Sequence, residues 1–355
     1  MDTISLAICG VPITIVADSP ELTDHFAKYF RYYRPQVRPS SDDASNAGRD
    51  PLRIELKFLD GPALPAGLIP PQAKLFSQIG LVGLWREKLE RPEGQGGPAR
   101  EQFYFDLECA VFRVDPEAGE VTGVISRSAL SSPQFLADSG LWLPLLLLLR
   151  SRGIYHLQAA AAVSPGGRLW LIAGAPRAGK TTLTLALGLA GWRPISDDSL
   201  LVGFNGSTAH ITALKKEFRV EEGLFRRWQF RPGRRPGPQD PEPDLLGGLE
   251  LFETLELADA VFERVDYLVL PQLVKESESR LAPVAESEAL LRLAEQSLFF
   301  QCWREHVERQ WQSLLNLARR ASCYRLWAGP DLLDHPRRIA ELFGAAERST
   351  PRREP

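Results

Sequence analysis

The sequence is poor in cysteine, in net charge and in long apolar runs. Four cysteines occur in 355 residues, none in a CxxC pair or a Cys/His cluster, so a disulfide framework, a zinc site and a thiol nucleophile have no support. The formal net charge is −3, which gives no overall attraction to nucleic acid or anionic lipid. The longest aliphatic run, LWLPLLLLLR, is far shorter than the roughly 20 residues of a membrane span. We therefore expect neither a nucleic-acid partner nor a membrane partner.

The start of the chain is apolar, but it does not have the charge pattern of a secretory leader. In MDTISLAICGVPITIVADSP, Asp2 stands where a signal peptide carries positive charge, and the segment is better interpreted as two short strands around a Gly-Val-Pro turn. The composition, 44% hydrophobic and 25% charged, is enough for a substantial core and indicates one large domain or two medium ones. We expect a cytoplasmic protein.

The character of the sequence changes near residue 139. Residues 1–138 contain short runs rich in β-branched and aromatic residues, which predict a β-rich domain with the strands SLAICG, ITIVA, RIELKFL, QFYFDLE, AVFRVD and VTGVIS, the last two forming a hairpin. This part has no chemical motif, so we interpret it as a scaffold or recognition domain. Residues 139–345 predict an α/β domain, and residues 346–355 predict a disordered polar tail.

Helical and extended segments alternate in the second part. Apolar residues recur at helical spacing in LWLPLLLLLRSRG, KTTLTLALGLAG, ESEALLRLAEQSLF, REHVERQWQSLLNLARRA and HPRRIAELFG. Strands are predicted over IYHLQAAAAV, RLWLIAG, RPIS, RVDYLVLPQL and CYRLWAG. The segment SLLVGFNGSTAHITAL predicts a hairpin that turns on Asn205-Gly206.

Residues 174–181 fit the phosphate-loop pattern G-x-x-x-x-G-K-[ST] at every fixed position, between a predicted apolar strand and a predicted helix. Glycines permit turns that point backbone N–H groups at an anion, and the following helix adds its positive end. The lysine neutralises the β- and γ-phosphates, and the threonine hydroxyl binds Mg²⁺. The residues predicted to bind a nucleotide are Gly174, Ala175, Pro176, Arg177, Ala178, Gly179, Lys180, Thr181 and Thr182. Within this set, Thr182 is also typical of a structural residue in the first helical turn, and Arg177 of a solvent-facing side chain.

Two adjacent carboxylates follow the next short strand. Asp197 and Asp198 come directly after RPIS, seventeen and eighteen residues beyond the loop lysine. A phosphate-transferring site needs an acidic residue at the end of an apolar strand near Mg²⁺, and the rival strand VDYLVL ends without one. One carboxylate can hold the metal while the other accepts the proton of an incoming hydroxyl. Ser196 and Ser199 beside them are typical of a helix or turn cap.

Four features occur together between residues 156 and 198. They are a histidine, His156, on the strand before the loop strand; the loop LIAGAPRAGKTT; a single helix ending at a glycine, LTLALGLAG; and the early aspartate pair in RPISDD. In this combination the stretch resembles the HPr kinase/phosphorylase family and its HPr-kinase-related relatives. The resemblance is sharp over residues 156–198 and softer over about 140–345. It implies an α/β fold with a P-loop core of the type shared with phosphoenolpyruvate carboxykinases, beside a β-rich N-terminal domain.

The resemblance also implies a kinase that uses ATP and Mg²⁺ to phosphorylate a serine of a peptide or small protein. Carried over by position, Lys180 and Thr181 bind phosphate and Mg²⁺, Asp197 is the general base, and Asp198 assists with Mg²⁺. His156 orients the aspartate or the phosphoryl group, although without the resemblance it is more typical of a buried strand histidine. The implied catalytic residues are Asp197, His156 and Lys180, and the implied metal-binding residues are Thr181 and Asp198. Relatives often form homo-oligomers, and the sequence leaves the oligomeric state open.

The sequence departs from the family in three places. Ala175-Pro176-Arg177 replaces the usual residues at the loop crest, the glycine-rich signature of the phosphorylase branch is missing, and the N-terminal half does not match the regulatory domain of the carbon-control enzyme. Phosphorolysis is therefore not expected, and HPr is not the expected acceptor. Two alternatives stay open: a small-molecule kinase on the same core, and a non-catalytic nucleotide-sensing or peptide-docking protein.

A stretch rich in Arg, Pro and Gly, FRRWQFRPGRRPGPQDPEPD, spans residues 225–244. It is typical of a solvated flexible loop, and its arginines would equally suit a lid that meets transferring phosphate or an acidic peptide. The candidates are Arg226, Arg227 and Arg231, together with Lys215, Lys216 and Arg219 upstream. Trp228 and Phe230 lie between arginines as in some nucleic-acid-binding segments, but the stretch is short and the chain is acidic overall.

Overall fold

The computed structural model describes residues 2–30, 51–91, 99–205, 208–214, 218–220, 224, 227–228, 245–246, 261–262, 264–297 and 304–349. It is a mixed α/β structure that divides into two compact units, Met1–Arg152 and Gly153–Pro355. The boundary lies later in the chain than the one expected after residue 138. The reason is that the apolar helix ending at Ser151 packs on strands of the first unit. In the part of the chain described, no helix is both long and apolar enough to cross a membrane.

The first unit is built on one eight-stranded sheet. Its elements in chain order are β1 (Asp2–Ile8), β2 (Val11–Ala17), α1 (Pro20–Tyr29), β3 (Leu52–Leu59), β4 (Lys74–Ile79), β5 (Val82–Leu89), β6 (Arg100–Asp106), β7 (Ala110–Asp115), β8 (Glu120–Ser126), α2 (Pro133–Phe135) and α3 (Trp142–Ser151). A 3₁₀ turn (Arg127–Ser131) precedes α2, and a π-helical turn (Leu136–Leu141) joins α2 to α3. The strand order is β1-β2-β3-β8-β7-β6-β5-β4, with β2, β3 and β8 parallel and the other neighbours antiparallel.

The six strands expected in this unit are confirmed, with one shift at the first turn. The turn residues are Cys9 and Gly10, both with positive φ (47° and 75°), whereas Val11 and Pro12 belong to β2. A two-residue turn of this kind matches the twist of the hairpin strands better than the expected Gly-Val-Pro turn. Helix α1 and the β4–β5 hairpin were not expected. Cys9, Cys109 and Cys323 are free thiols.

Buried apolar residues alternate with exposed residues along the strands, which gives the sheet one apolar face. In β3 the residues Leu52, Ile54 and Leu56 are buried, while the residues between them are exposed. Helices α1 and α3 contact strands of this sheet, α1 through β1 and β2 and α3 through β7 and β8. The first unit is therefore a sheet covered by helices, as its binary pattern requires.

Gly123, in β8, marks a tight point of this core. A Cβ placed on it would lie 2.8 Å from Leu56 Cδ2 and 2.8 Å from Phe112 Cδ1, and both of these side chains are buried. We expect Gly123→Ala to lower the free energy of unfolding of this unit by about 1–3 kcal/mol because the buried neighbours must shift, as measured by urea unfolding. Gly61→Ala is the matched control, since the nearest atom to its Cβ position is Ala63 O at 3.8 Å. An equal loss in both variants would contradict this packing explanation.

The second unit contains a larger number of short elements. They are β9 (Ile154–Leu157), β10 (Ala159–Val163), β11 (Leu169–Ala173), α4 (Lys180–Leu189), β12 (Arg193–Ser196), β13 (Leu200–Asn205), β14 (Thr208–Ala213), β15 (Phe218–Arg219), β16 (Leu245–Leu246), β17 (Val261–Phe262), β18 (Tyr267–Leu273), β19 (Arg280–Pro283), α5 (Glu286–Glu295), α6 (Arg304–Arg320), β20 (Ser322–Ala328), α7 (Asp331–Asp334) and α8 (Arg338–Ser349). The strands form a six-stranded sheet, β12-β10-β11-β18-β20-β19, a four-stranded sheet, β17-β14-β13-β9, and the pair β15–β16.

The directions of the strands in the six-stranded sheet determine which of the loops that follow them lie at the same edge. Strands β11, β18 and β20 are parallel neighbours. Strand β12 runs the same way as β11, because both pair with β10 in the antiparallel sense. The carboxyl ends of β12, β11, β18 and β20 therefore lie at one edge of the sheet.

Apolar layers cover both faces of this sheet. On one face Trp170 stacks on Phe343 of α8 with ring centroids 4.3 Å apart, and Leu183 and Leu187 of α4 join the same cluster. On the other face the strands pack against the four-stranded sheet and helices α5 and α6, with Leu314 and Leu317 of α6 among the buried residues. The all-buried sequence of β10, Ala159–Val163, follows from coverage on both sides.

Three sequence expectations for the second unit are refined. The segment IYHLQAAAAV forms two strands in different sheets, because Gln158 leaves the ladder and its N–H donates to Gln296 O at 2.8 Å. The expected hairpin of β13 and β14 is confirmed, but Asn205 is the last residue of β13 and pairs with Thr208, so it does not lie in the turn as expected. The tail expected to be disordered from residue 346 begins inside α8, where Ala346 is buried and Glu347 accepts a hydrogen bond from Trp170 Nε1 at 2.7 Å. Residues 350–355 lie outside the described part of the chain.

Candidate functional site

The shared carboxyl edge of the six-stranded sheet brings together the predicted site residues. The segment 174–179, called here the glycine loop, follows β11 and leads directly into α4. Asp197 and Asp198, the aspartate pair, follow β12. The loop and the pair are thus neighbours although β10 separates their strands in the sheet.

The backbone of the glycine loop requires small or conformationally free residues. Gly179 has φ of +88°, and Arg177 has φ of +67°, which is uncommon for a residue with a side chain. At Gly174 a Cβ would lie 3.1 Å from Ala178 Cβ and 3.2 Å from Pro271 Cγ. The loop is closed by Ala178 N–H donating to Ala175 O at 3.1 Å. Arg177 is exposed at the crest, and the half-buried Thr182 lies in the first turn of α4.

Lys180 is the central cation of the site. It is 4% exposed, and its Nζ donates to Gly174 O at 2.9 Å and to Ala175 O at 3.3 Å. The same Nζ lies 3.1 Å from Asp198 Oδ1. The ammonium group therefore sits between the carbonyls of the glycine loop and the aspartate pair, where a buried cation must have partners.

The two aspartates occupy different surroundings. Asp197 is 5% exposed, and its Oδ2 accepts a hydrogen bond from Thr181 Oγ1 at 2.8 Å. Burial raises the pKa of Asp197 to about 7, helped by the charge of Asp198 and opposed by the Thr181 hydrogen bond and by Lys180. The side chain of Asp198 is 53% exposed. The residue that sequence reasoning assigned to the general base is thus the less accessible of the two.

A serine-closed turn holds the aspartate pair. Ser196 Oγ donates to Ser199 O at 2.9 Å and accepts from Ser199 N–H at 3.3 Å, which confirms the expected cap. His156, on β9, reaches this turn, with its Nε2 3.4 Å from Ser199 Oγ. The histidine is therefore linked to the turn that carries the aspartates, and its predicted orienting role remains a prediction.

Part of the arginine-rich stretch contacts helix α7. Arg227 forms an ion pair with Asp334, and Trp228 Nε1 donates to Leu333 O at 2.9 Å. The backbone of Arg219 belongs to β15. The other candidates, Arg226, Arg231, Lys215 and Lys216, lie outside the described residues, as does Phe230.

The oxygen atoms of the site are suited to a metal ion that is also bound by the phosphates of a nucleotide. Over the described ranges, no group of three or more His, Cys, Asp or Glu side chains could hold a metal ion by itself. Mg²⁺ in phosphate-transferring sites is usually bound through one or two carboxylates, water and the substrate's own phosphates. The hydroxyl of Thr181 and the carboxylate of Asp197, already 2.8 Å apart, provide such oxygen donors.

Sequence reasoning missed the contribution of β18 to this edge. Pro271 lies against Gly174, and Leu273 Cδ2 would lie 3.6 Å from a Cβ on Gly179. The strand was set aside because it carries no carboxylate at its tip. The apolar run before Pro271 was the only sequence signal for this strand, and its parallel pairing with β11 is what makes it a wall of the glycine loop.

The comparisons with known proteins give distant structural likenesses and no match in sequence. Neither the protein-family models nor the curated proteins include a match to this chain. Among solved structures, the chain is similar to the Hpr(Ser) kinase/phosphatase from Coxiella burnetii, with 13% sequence identity and a TM-score of 0.30 over 55% of this chain and 97% of that chain. At this TM-score the likeness carries no argument about function, which depends on the geometry of the site.

Proposed function

We propose that the chain binds ATP with Mg²⁺ at residues 174–182 and transfers the terminal phosphoryl group to a hydroxyl, with a serine of a peptide or small protein as acceptor. The observation that carries this proposal is the position of Lys180. Its buried ammonium group lies within hydrogen-bonding distance of two glycine-loop carbonyls and of Asp198. A cation, a hydroxyl and two carboxylates are thereby gathered at one end of a glycine loop.

Binding of the triphosphate follows from the charges and dipoles at the loop. Gly179 caps α4, so the free N–H groups and the positive end of this ten-residue helix face the loop. Lys180 would exchange its carbonyl and Asp198 contacts for the β- and γ-phosphate oxygens, which bear more charge than a carbonyl. Thr181 and Asp197 would hold Mg²⁺, which when bound neutralises charge on the phosphates.

Exposure favours Asp198 as the general base, which reverses the roles that the resemblance implied. An acceptor hydroxyl can approach the half-exposed Asp198, whereas Asp197 is enclosed and already bonded to Thr181. In the transfer step the acceptor oxygen forms a bond to the γ-phosphorus, and the bond from that phosphorus to the bridging oxygen breaks. The acceptor proton goes to the Asp198 carboxylate, and ADP leaves. Most of the acceleration would come from positioning and from charge neutralisation.

The destination of the phosphate tests the proposal. The chain is incubated with γ-labelled ATP and Mg²⁺ together with either a library of serine-containing peptides or a panel of small hydroxyl compounds. We expect the label on serine of one peptide class. Label only on a small molecule would support a small-molecule kinase on the same core. Label only in inorganic phosphate, with ATP bound and a peptide shown to bind, would contradict transfer to a hydroxyl.

Removal of the loop cation tests the binding half of the proposal. We expect Lys180→Met to weaken ATP binding by about 10–100-fold, because a charge-assisted contact to phosphate contributes about 1.5–3 kcal/mol. Isothermal titration with ATP and Mg²⁺ measures this change. Arg292→Met is the control, since Arg292 is an exposed cation of the same unit that pairs with Glu295. Equal ATP affinity in the Lys180→Met variant and the native chain would refute phosphate binding at this loop.

A further inference from the structure

Strand β18 forms an apolar wall beside the glycine loop. Pro271 Cγ lies 3.2 Å from the position of a Cβ on Gly174, and Leu273 Cδ2 lies 3.6 Å from that of a Cβ on Gly179. These two residues share a side of β18 with Tyr267 and Val269, which belong to the core under α4. The wall is therefore continuous with the core beneath the loop.

Leu273 is exposed at the top of this wall. Its side chain is 61% exposed, and among the described residues of the second unit Leu291 is the other large apolar side chain of this kind, at 57%. A single exposed leucine is ordinary on a protein surface. Leu273 differs because it adjoins Gly179, at the start of the helix that the phosphates would face.

The polarity of the site favours one direction for the nucleoside. Lys180, Thr181 and the aspartate pair form one connected polar cluster on the β12 side of the loop. The terminal phosphate must lie there, because the acceptor has to reach both the phosphorus and Asp198. With the phosphates in this position, the ribose and base extend away from the aspartate pair, and the strand on the opposite side of β11 in the sheet is β18.

We infer that Leu273 forms the apolar contact for the nucleoside of the bound triphosphate, with Pro271 beneath it. This inference rests on the proposed function and adds the subsite for the base. An aliphatic side chain offers a flat base an apolar surface and has no hydrogen-bonding group. The Leu273 contact therefore raises affinity for nucleosides without distinguishing adenine from guanine.

A pair of ligands separates this contact from phosphate binding. The affinities of ATP and of inorganic tripolyphosphate are measured with Mg²⁺ by titration for the native chain, Leu273→Ser, Leu273→Met and the control Leu291→Ser. We expect Leu273→Ser to weaken ATP binding by about five-fold through loss of apolar contact area and to leave tripolyphosphate binding unchanged. Leu273→Met should restore ATP affinity, and Leu291→Ser should behave as the native chain. The Leu273→Ser substitution should weaken GTP binding by the same factor as ATP binding.

Other binding results would overturn either the nucleoside contact or the proposed function. Unchanged ATP affinity in Leu273→Ser, or an equal loss for ATP and tripolyphosphate, overturns the nucleoside contact while leaving phosphate binding intact. A native chain that binds neither ligand overturns the proposed function itself, and the subsite with it. A loss in Leu291→Ser as large as in Leu273→Ser would show that exposed leucines act through the fold and would also overturn the inference.

Discussion

Replacement of Asp198 by Asn is expected to lower the rate of phosphoryl transfer by about a thousand-fold, within the usual range for loss of a general base. Asn keeps the size of the side chain and removes its capacity to take the acceptor proton. ATP affinity should stay equal or rise slightly, because Asp198, 3.1 Å from Lys180 Nζ, would no longer compete with phosphate for the ammonium group. Single-turnover transfer of labelled phosphate to the peptide class found in the screen measures the rate, and titration measures the affinity.

Asp197→Asn is the matched comparison for this experiment. If Asp197 binds Mg²⁺, its replacement should raise the Mg²⁺ concentration needed for phosphoryl transfer, and excess Mg²⁺ should recover part of the rate. The Asp198→Asn rate should not recover in this way. A larger and Mg²⁺-independent loss in Asp197→Asn would return the general base to Asp197. A native rate in both variants would favour a site that binds nucleotide without catalysis.

Asp197→Asn is also expected to stabilise the second unit at high pH. The pKa of Asp197 is raised from 3.8 to about 7, chiefly by burial, so the folded state keeps its proton when the unfolded state has lost it. Native stability is therefore fully retained below pH ~4, falls as the pH rises toward 7, and stays lowered above it. Three pKa units correspond to about 4 kcal/mol. Without divalent cations, the variant should exceed the native chain by up to this amount at pH 8 and match it at pH 4.

Urea unfolding at the two pH values, with a chelator present, measures this difference. Glu295→Gln is the control, because Glu295 is a half-exposed carboxylate of the same unit and loses little hydration on folding. A stability difference for Asp197→Asn that is the same at pH 4 and pH 8 would contradict the burial explanation. Mg²⁺ together with ATP should reduce the difference, since a bound cation favours the charged carboxylate of the native chain.

The elements could be predicted from the sequence where the pattern was local and strong. The helix over residues 180–189 and the strand before it were expected from periodicity and from the glycine pattern. Helix α1 was missed, although Pro20 at its first turn and Leu22 and Phe26 on one face were available signals. The division of IYHLQAAAAV into two strands at Gln158 could not be predicted from nearby residues. The hydrogen bond from Gln158 N–H goes to Gln296 O, at the end of a helix far along the chain.

In the candidate site, too, some features were predictable from the local sequence and others were not. Lys180 and Thr181 were identified by spacing alone, because one strand, one loop and one helix determine where they point. The aspartate pair was also found by spacing, and the structure brings it to the same cluster. The different exposure of its two members was not predictable, since adjacent residues have the same sequence context and differ only in what packs around them.

The sequence pattern was sufficient to locate the loop, its lysine and the early carboxylates, because their positions depend on short-range backbone geometry. Long-range packing determines which aspartate is enclosed and which is exposed, and it places Leu273 beside Gly179. The physical reason is that burial and contact depend on strands far apart in the chain. Strands β12, β11 and β18 end at one edge only because β10 runs between the first two in the opposite direction and β18 pairs in parallel with β11.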